Sequence, residues 1–126
     1  MSLQTPLSRV RGLGSAKDGV AHWWAQRVTA VALLPLCVWL AAALAASAGM
    51  DHAAATEWLS SPLTAILMIL LIGAGFHHAQ LGLQVVIEDY VHTEWLKVAS
   101  IMTVKLAAVA LAVAGVFSVL KIAFGG

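Results

Sequence analysis

Three runs of apolar residues, each long enough to cross a bilayer as a helix, constrain this chain more than any other feature. They cover residues 28–48, 63–87 and 98–124. A helix rises about 1.5 Å per residue, so some 20 residues match a hydrocarbon core of about 30 Å. The second and third runs have length to spare for tilt. Helices answer this constraint because lipid offers the backbone no partner outside its own hydrogen-bond ladder. Composition agrees: 61% of the 126 residues are hydrophobic and 10% are charged, with a mean hydropathy of +0.91. A domain that must present a polar surface to water does not look like this. The expected fold is an all-α membrane protein, a single domain over residues 1–126 with three transmembrane helices and an N-terminal arm over residues 1–27.

The arm carries Arg9, Arg11 and Lys17 against Asp18, and residues 1–26 show no apolar periodicity, so they read as an extended segment on the membrane surface. Pro35 falls inside the first run, where neighbouring helices can satisfy the carbonyl it frees; a kink is expected there rather than a break. Ala46, Ser47 and Ala48 look like a signal-peptide cleavage site, but the arm before them and the apolar run are both too long for one. Ser60, Ser61 and Pro62 mark the start of the second span. Arg9, Arg11, Lys17 and Arg27 precede the first span, Lys97 joins the second to the third, and the loop over 49–62 has no basic residue. That bias puts the N-terminus in the cytoplasm and the C-terminus outside. Trp23, Trp24, Trp58 and Trp95 sit at span edges as interfacial anchors, with Trp39 deeper. A net charge of +1 without a basic stripe excludes a nucleic-acid binder. Cys37, the single cysteine, has no partner for an internal disulfide and reads as a packing residue.

Chemistry concentrates on the second span, in the stretch from Gly73 to Gly82 that contains Phe76, His77, His78 and Gln80. An ionisable ring at membrane depth is rare without a partner. Gly75, His78 and Gly82 lie at i−3, i and i+4, so two glycines flank the imidazole on its own helix face. Two readings fit those residues. The glycines can leave a flat slot for a haem plane whose iron takes an axial nitrogen from His78, or they can allow close helix packing while the histidine hydrogen-bonds across the interface. His77 points about 100° away, toward a polar partner or a neighbouring subunit. No other histidine of the chain is placed to be a second axial ligand, so a bis-histidine haem would draw that ligand from another chain.

Asp89 and Tyr90 close the same span, about 18 Å of helical rise from His78. Tyr90 reads either as an interfacial anchor or as a hydroxyl donor to a quinone carbonyl, with Asp89 beside it where protons could be relayed. Arg27 is the last charge before the first span; it sets topology or offers a fork of donors to an anionic group such as a haem propionate.

In His78, Ala79, Gly82, Asp89 and Tyr90 the chain carries His-Ala-x-x-Gly-(x6)-Asp-Tyr on the second of three spans. Gly14, Gly19, Val20 and His22 precede Arg27, Val28, Thr29 and Ala30 at the opening of the first. In these motifs, and over essentially its whole length, the chain resembles the hydrophobic membrane-anchor subunits of succinate dehydrogenase, respiratory complex II. The resemblance implies packing with a second three-helix, cytochrome b-type anchor subunit and assembly with an iron–sulfur subunit and a flavoprotein subunit. It also implies a haem b shared between the anchors, with His78 as this chain's axial ligand. Arg27 and His22 would lie near the haem propionates, Gly75 and Gly82 beside the ring, and Tyr90 and Asp89 at a ubiquinone site. No dicarboxylate chemistry would fall to this chain. The implied location is the bacterial inner membrane, ahead of the mitochondrial one. A fumarate reductase anchor and a cofactor-free accessory bundle are the alternative readings.

Overall fold

The computed structural model describes residues 5–10 and 16–125. Among them lie five helices: α1 (Pro6–Val10), α2 (Ala16–Ala46), α3 (His52–Ser60), α4 (Pro62–Tyr90) and α5 (Glu94–Ala123). Gly14 and Arg11 lie outside the described residues, as do the side chains of Arg9, Lys17 and Asp18.

α2, α4 and α5 are the three candidate spans, apolar over Gly19–Ala46, Pro62–Tyr90 and Glu94–Ala123. α2 continues unbroken through Pro35. It also begins earlier than the sequence suggests: residues 16–26, read there as part of an extended arm, are its opening turns. Once a long span has met the cost of nucleation, each added residue gains a backbone bond for little, and Gly19 alone does not stop propagation. Past Ala46 the chain turns on Gly49, whose φ of 91° lies in the left-handed region.

The connection after that turn is helical rather than a plain loop. Asp51 caps α3, its carboxylate accepting the Ala54 N–H at 2.8 Å, and the alanine run that follows has high helix propensity. Ser61 then ends α3 and starts α4, with Pro62 in the first turn, where its missing N–H costs nothing. The Trp39 and Trp58 rings stack with centroids 6.0 Å apart, a side-chain contact between α2 and α3. Only Val91, His92 and Thr93 separate α4 from α5, which makes the two helices antiparallel neighbours.

α4 is the central helix. Among the described residues α2 packs along one side of it and α5 along another, with no close backbone approach between α2 and α5, and α3 bridges to α4 and α5 at the far end. Such a row has little interior: among the described residues Thr64, Ala65, Leu81 and Val119 alone are buried. Outward-facing Val31, Leu34 and Val38 of α2 are each 68% exposed. In water that surface would drive aggregation, whereas lipid tails are as apolar as the side chains and leave helix association to close packing and hydrogen bonds.

Candidate functional site in the seam between α2 and α4

Four positions of α2, His22, Gln26, Thr29 and Leu33, recur at helical spacing and are all partly buried. They form the stripe that α2 lays on α4. Facing them are Gly75, His78 and Gly82. A methyl group at Gly75 would lie 4.0 Å from Leu33 Cδ2, and one at Gly82 would lie 3.6 Å from Gln26 Nε2. Between these contacts Thr29 Oγ1 meets His78 Nδ1 at 3.0 Å. The glycines therefore leave ordinary van der Waals room beside the first span, and the imidazole hydrogen-bonds across the contact. Interhelical bonds of this kind in membranes average about 0.6 kcal/mol, enough to fix an angle but little more.

The face beside His78 is thus partly filled by α2 itself, and the slot read from Gly75 and Gly82 is narrower than a bare helix face. Polar capacity remains in the seam. His22 Nε2 and Gln26 Oε1 are buried with no hydrogen-bond partner. In a low-dielectric interior an unmet polar atom costs about 1–3 kcal/mol, so such atoms are usually met by a water, a ligand or another chain. His78 itself uses one ring nitrogen and keeps Nε2 in reserve.

The remaining expected residues are dispersed. Arg27 is exposed, with its guanidinium carbon 5.2 Å from the centre of the Trp23 ring, a cation–π contact on the outer side of α2 that does not bring it to His78. Trp23 in turn meets Trp24 edge to face at 5.1 Å. Asp89 and Tyr90 end α4 together, both exposed and, among the described residues, without a hydrogen-bond partner; Tyr90 is 78% exposed. Next to them Gln84 donates to Glu88 at 2.8 Å. His77 lies on a different flank of α4, in a cleft of about 680 Å³ shared with His22, Gln80, Gln84 and Lys105.

No group of three or more His, Cys, Asp or Glu side chains among the described residues is arranged to hold a bare metal ion. One imidazole with a spare nitrogen suits a porphyrin iron instead, because the macrocycle supplies the equatorial donors. The orphaned atoms of His22 and Gln26 on the same seam are consistent with a polar group arriving from outside the chain.

Gln26 drew no role from the sequence, and Thr29 entered it only within Arg27, Val28, Thr29 and Ala30. Their signal was present but faint: with His22 they are the polar members of one stripe on a helix whose outward residues beyond Arg27 are mostly apolar.

Residues 1–118 match the family described as the succinate dehydrogenase/fumarate reductase transmembrane subunit. The chain is 34% identical over 111 residues to the succinate dehydrogenase hydrophobic membrane anchor subunit of Rickettsia bellii, covering 88% of this chain and 89% of the relative. It is 32% identical over 100 residues to the subunit of the same description from Paracoccus denitrificans, at 79% and 78% coverage. A succinate dehydrogenase membrane anchor subunit from Reclinomonas americana is 28% identical over 96 residues, at 74% and 80%.

Proposed function

The chain belongs to the succinate dehydrogenase/fumarate reductase transmembrane subunit family, and from that premise we propose that it holds haem b and part of a ubiquinone site for a succinate dehydrogenase whose membrane anchor it is. Its own residues perform no dicarboxylate chemistry. A flavoprotein subunit and an iron–sulfur subunit carry succinate oxidation, and the electrons leave through ubiquinone at the membrane surface. A second, cytochrome b-type anchor subunit would cover the open faces of α2 and α4 and would share in holding the haem.

The observation that carries the reading is the hydrogen bond between Thr29 and His78. It binds one nitrogen of an imbedded imidazole and leaves the other free, at a depth where an idle ionisable group would be costly. His78 Nε2 would hold the haem iron, and haem b, when bound, would supply a one-electron store. Gly75 and Gly82 keep α4 free of side chains above and below the ring. His22 offers its unpaired Nε2 to a polar edge of the group, and Arg27 reaches a propionate by leaving the Trp23 face. At the end of α4 the Tyr90 hydroxyl donates to a ubiquinone carbonyl oxygen, and Asp89 takes protons from the aqueous side and passes them on as the quinone is reduced. The exposure of both fits a pocket whose other wall is a neighbouring subunit. The positive-inside bias makes this end cytoplasmic and puts α3 on the periplasmic side of the bacterial inner membrane.

The decisive experiment is His78→Leu in the complete complex. We expect the b-type absorbance to fall by more than half relative to flavin; an unchanged spectrum and haem content would remove His78 as the ligand.

A further inference from the structure

We infer that Thr29 is a positioning residue for His78, its hydroxyl fixing the imidazole in the tautomer that carries hydrogen on Nδ1 and leaves Nε2 bare. The inference rests on the haem-ligand reading and goes further, because it assigns a role to a residue of the first span that the motif on the second does not contain.

The direction of the bond follows from counting protons. A threonine hydroxyl has one hydrogen to donate and lone pairs to accept with. Thr29 Oγ1 lies 2.7 Å from the Ala25 carbonyl oxygen and 3.2 Å from that of Gln26, neither of which can donate to it. The same back-bond recurs through the chain: Thr56 to His52, Thr103 to Ala99 and Ser118 to Ala114, each at 2.8 Å. Thr29 is the member of this set with a further partner on another helix. With its proton committed to Ala25, Oγ1 can only accept at 3.0 Å from the ring, so His78 Nδ1 is the donor. A neutral imidazole with hydrogen on Nδ1 has its lone pair on Nε2, the form a metal needs. The reverse arrangement, Thr29 donating to Nδ1, would put hydrogen on Nε2 and close the ring to iron.

An acceptor on the remote nitrogen also increases the donor strength of an iron-bound histidine and fixes its ring plane, as outer-shell partners of metal-bound histidines do. A stronger donor favours ferric iron. Thr29 should therefore hold the haem midpoint potential lower than an apolar residue of the same shape would.

The test uses the whole complex carrying Thr29→Val, which keeps the branched shape and removes the acceptor, beside Thr29→Ser, which keeps the hydroxyl. We expect Thr29→Val to retain most of its haem while its midpoint potential shifts upward and the low-spin ferric electron paramagnetic resonance signal changes its g-values. Thr29→Ser should match the unmodified complex in both. An unaltered potential and signal in Thr29→Val would overturn the inference, as would a Thr29→Ser complex that behaves like Thr29→Val. Should Thr29→Val fail to assemble, Thr29→Ala takes its place under the same criteria. Electron–nuclear double resonance on the unmodified complex, in water and deuterium oxide, reads the exchangeable Nδ1 proton without any substitution, and its absence would also overturn the assignment. His78→Leu separates the layers: unchanged haem there removes the ligand reading itself, whereas haem lost there with an unresponsive Thr29→Val removes this inference alone.

Discussion

The two seams along α4 are built on different principles. Against α5 the contact is tightest at Gly115, where a methyl group would lie 3.2 Å from Ile72 Cγ2, while Gly73, Phe76, His77 and Gln80 of α4 and Ala108 and Ala112 of α5 line an open cleft. Against α2 the contact is polar, with a hydrogen-bonded imidazole, two unmet buried atoms and glycines whose space is only loosely filled. In lipid, where apolar burial gives helices no reason to associate, the tight small-residue seam is what joins two spans, and hydrogen bonds add modest amounts. α5 packs close against α4 at Gly115, whereas α2 covers the face of α4 that carries His78.

The hardest blow to that contrast falls on the tight seam. Gly115→Leu places a branched side chain where a single carbon already crowds a β-branched neighbour, and overpacking of this kind costs about 1–3 kcal/mol or more. The expected outcome is a large loss of complex surviving detergent extraction and a lower midpoint of thermal inactivation; normal yield and stability would show that the α5 seam is not the tighter of the two. A smaller effect, on activity alone, is expected at the exposed end of α4. Tyr90→Phe removes one hydroxyl donor from a residue with no partner inside the chain, so ubiquinone reduction should fall roughly tenfold, the equivalent of about 1.4 kcal/mol, with haem and assembly unchanged. Wild-type turnover with the native quinone would return Tyr90 to the role of interfacial anchor. Least affected should be Gly82→Ala. Its added carbon meets the movable amide end of Gln26 at 3.6 Å, an ordinary contact, and alanine is the better helix former by up to about 1 kcal/mol. Thermal inactivation within a few degrees of the unmodified complex would show that the α2 seam has slack; a collapse like that of Gly115→Leu would erase the distinction between the seams.

Much of the molecule was legible from length and pattern. The three spans follow from the run lengths, and the depth of His78 and its spacing to Tyr90 follow from counting residues along one helix. The short helix α3 was less visible because nine residues between two spans resemble a loop in composition, although Asp51 and three consecutive alanines carried a start signal and strong propensity. The opening turns of α2 were hidden for a related reason: an interfacial sequence with tryptophans, histidine and arginine lacks the periodicity that marks a helix packed on a core, yet it continues a ladder already begun.

What this sequence determined by itself was a set of local quantities: three spans, His78 within the second, glycines one turn to either side of it, and a tyrosine at the end. Which faces meet was left to the tertiary structure. A helix apolar nearly all round has no preferred side that a pattern can reveal, and two spans joined through a turn and a short helix can approach at any rotation. Only the packing of α2 on α4 selected the stripe of His22, Gln26, Thr29 and Leu33, brought the Thr29 hydroxyl to 3.0 Å from His78, and set Gly75 and Gly82 against Leu33 and Gln26 with room for a further carbon at each.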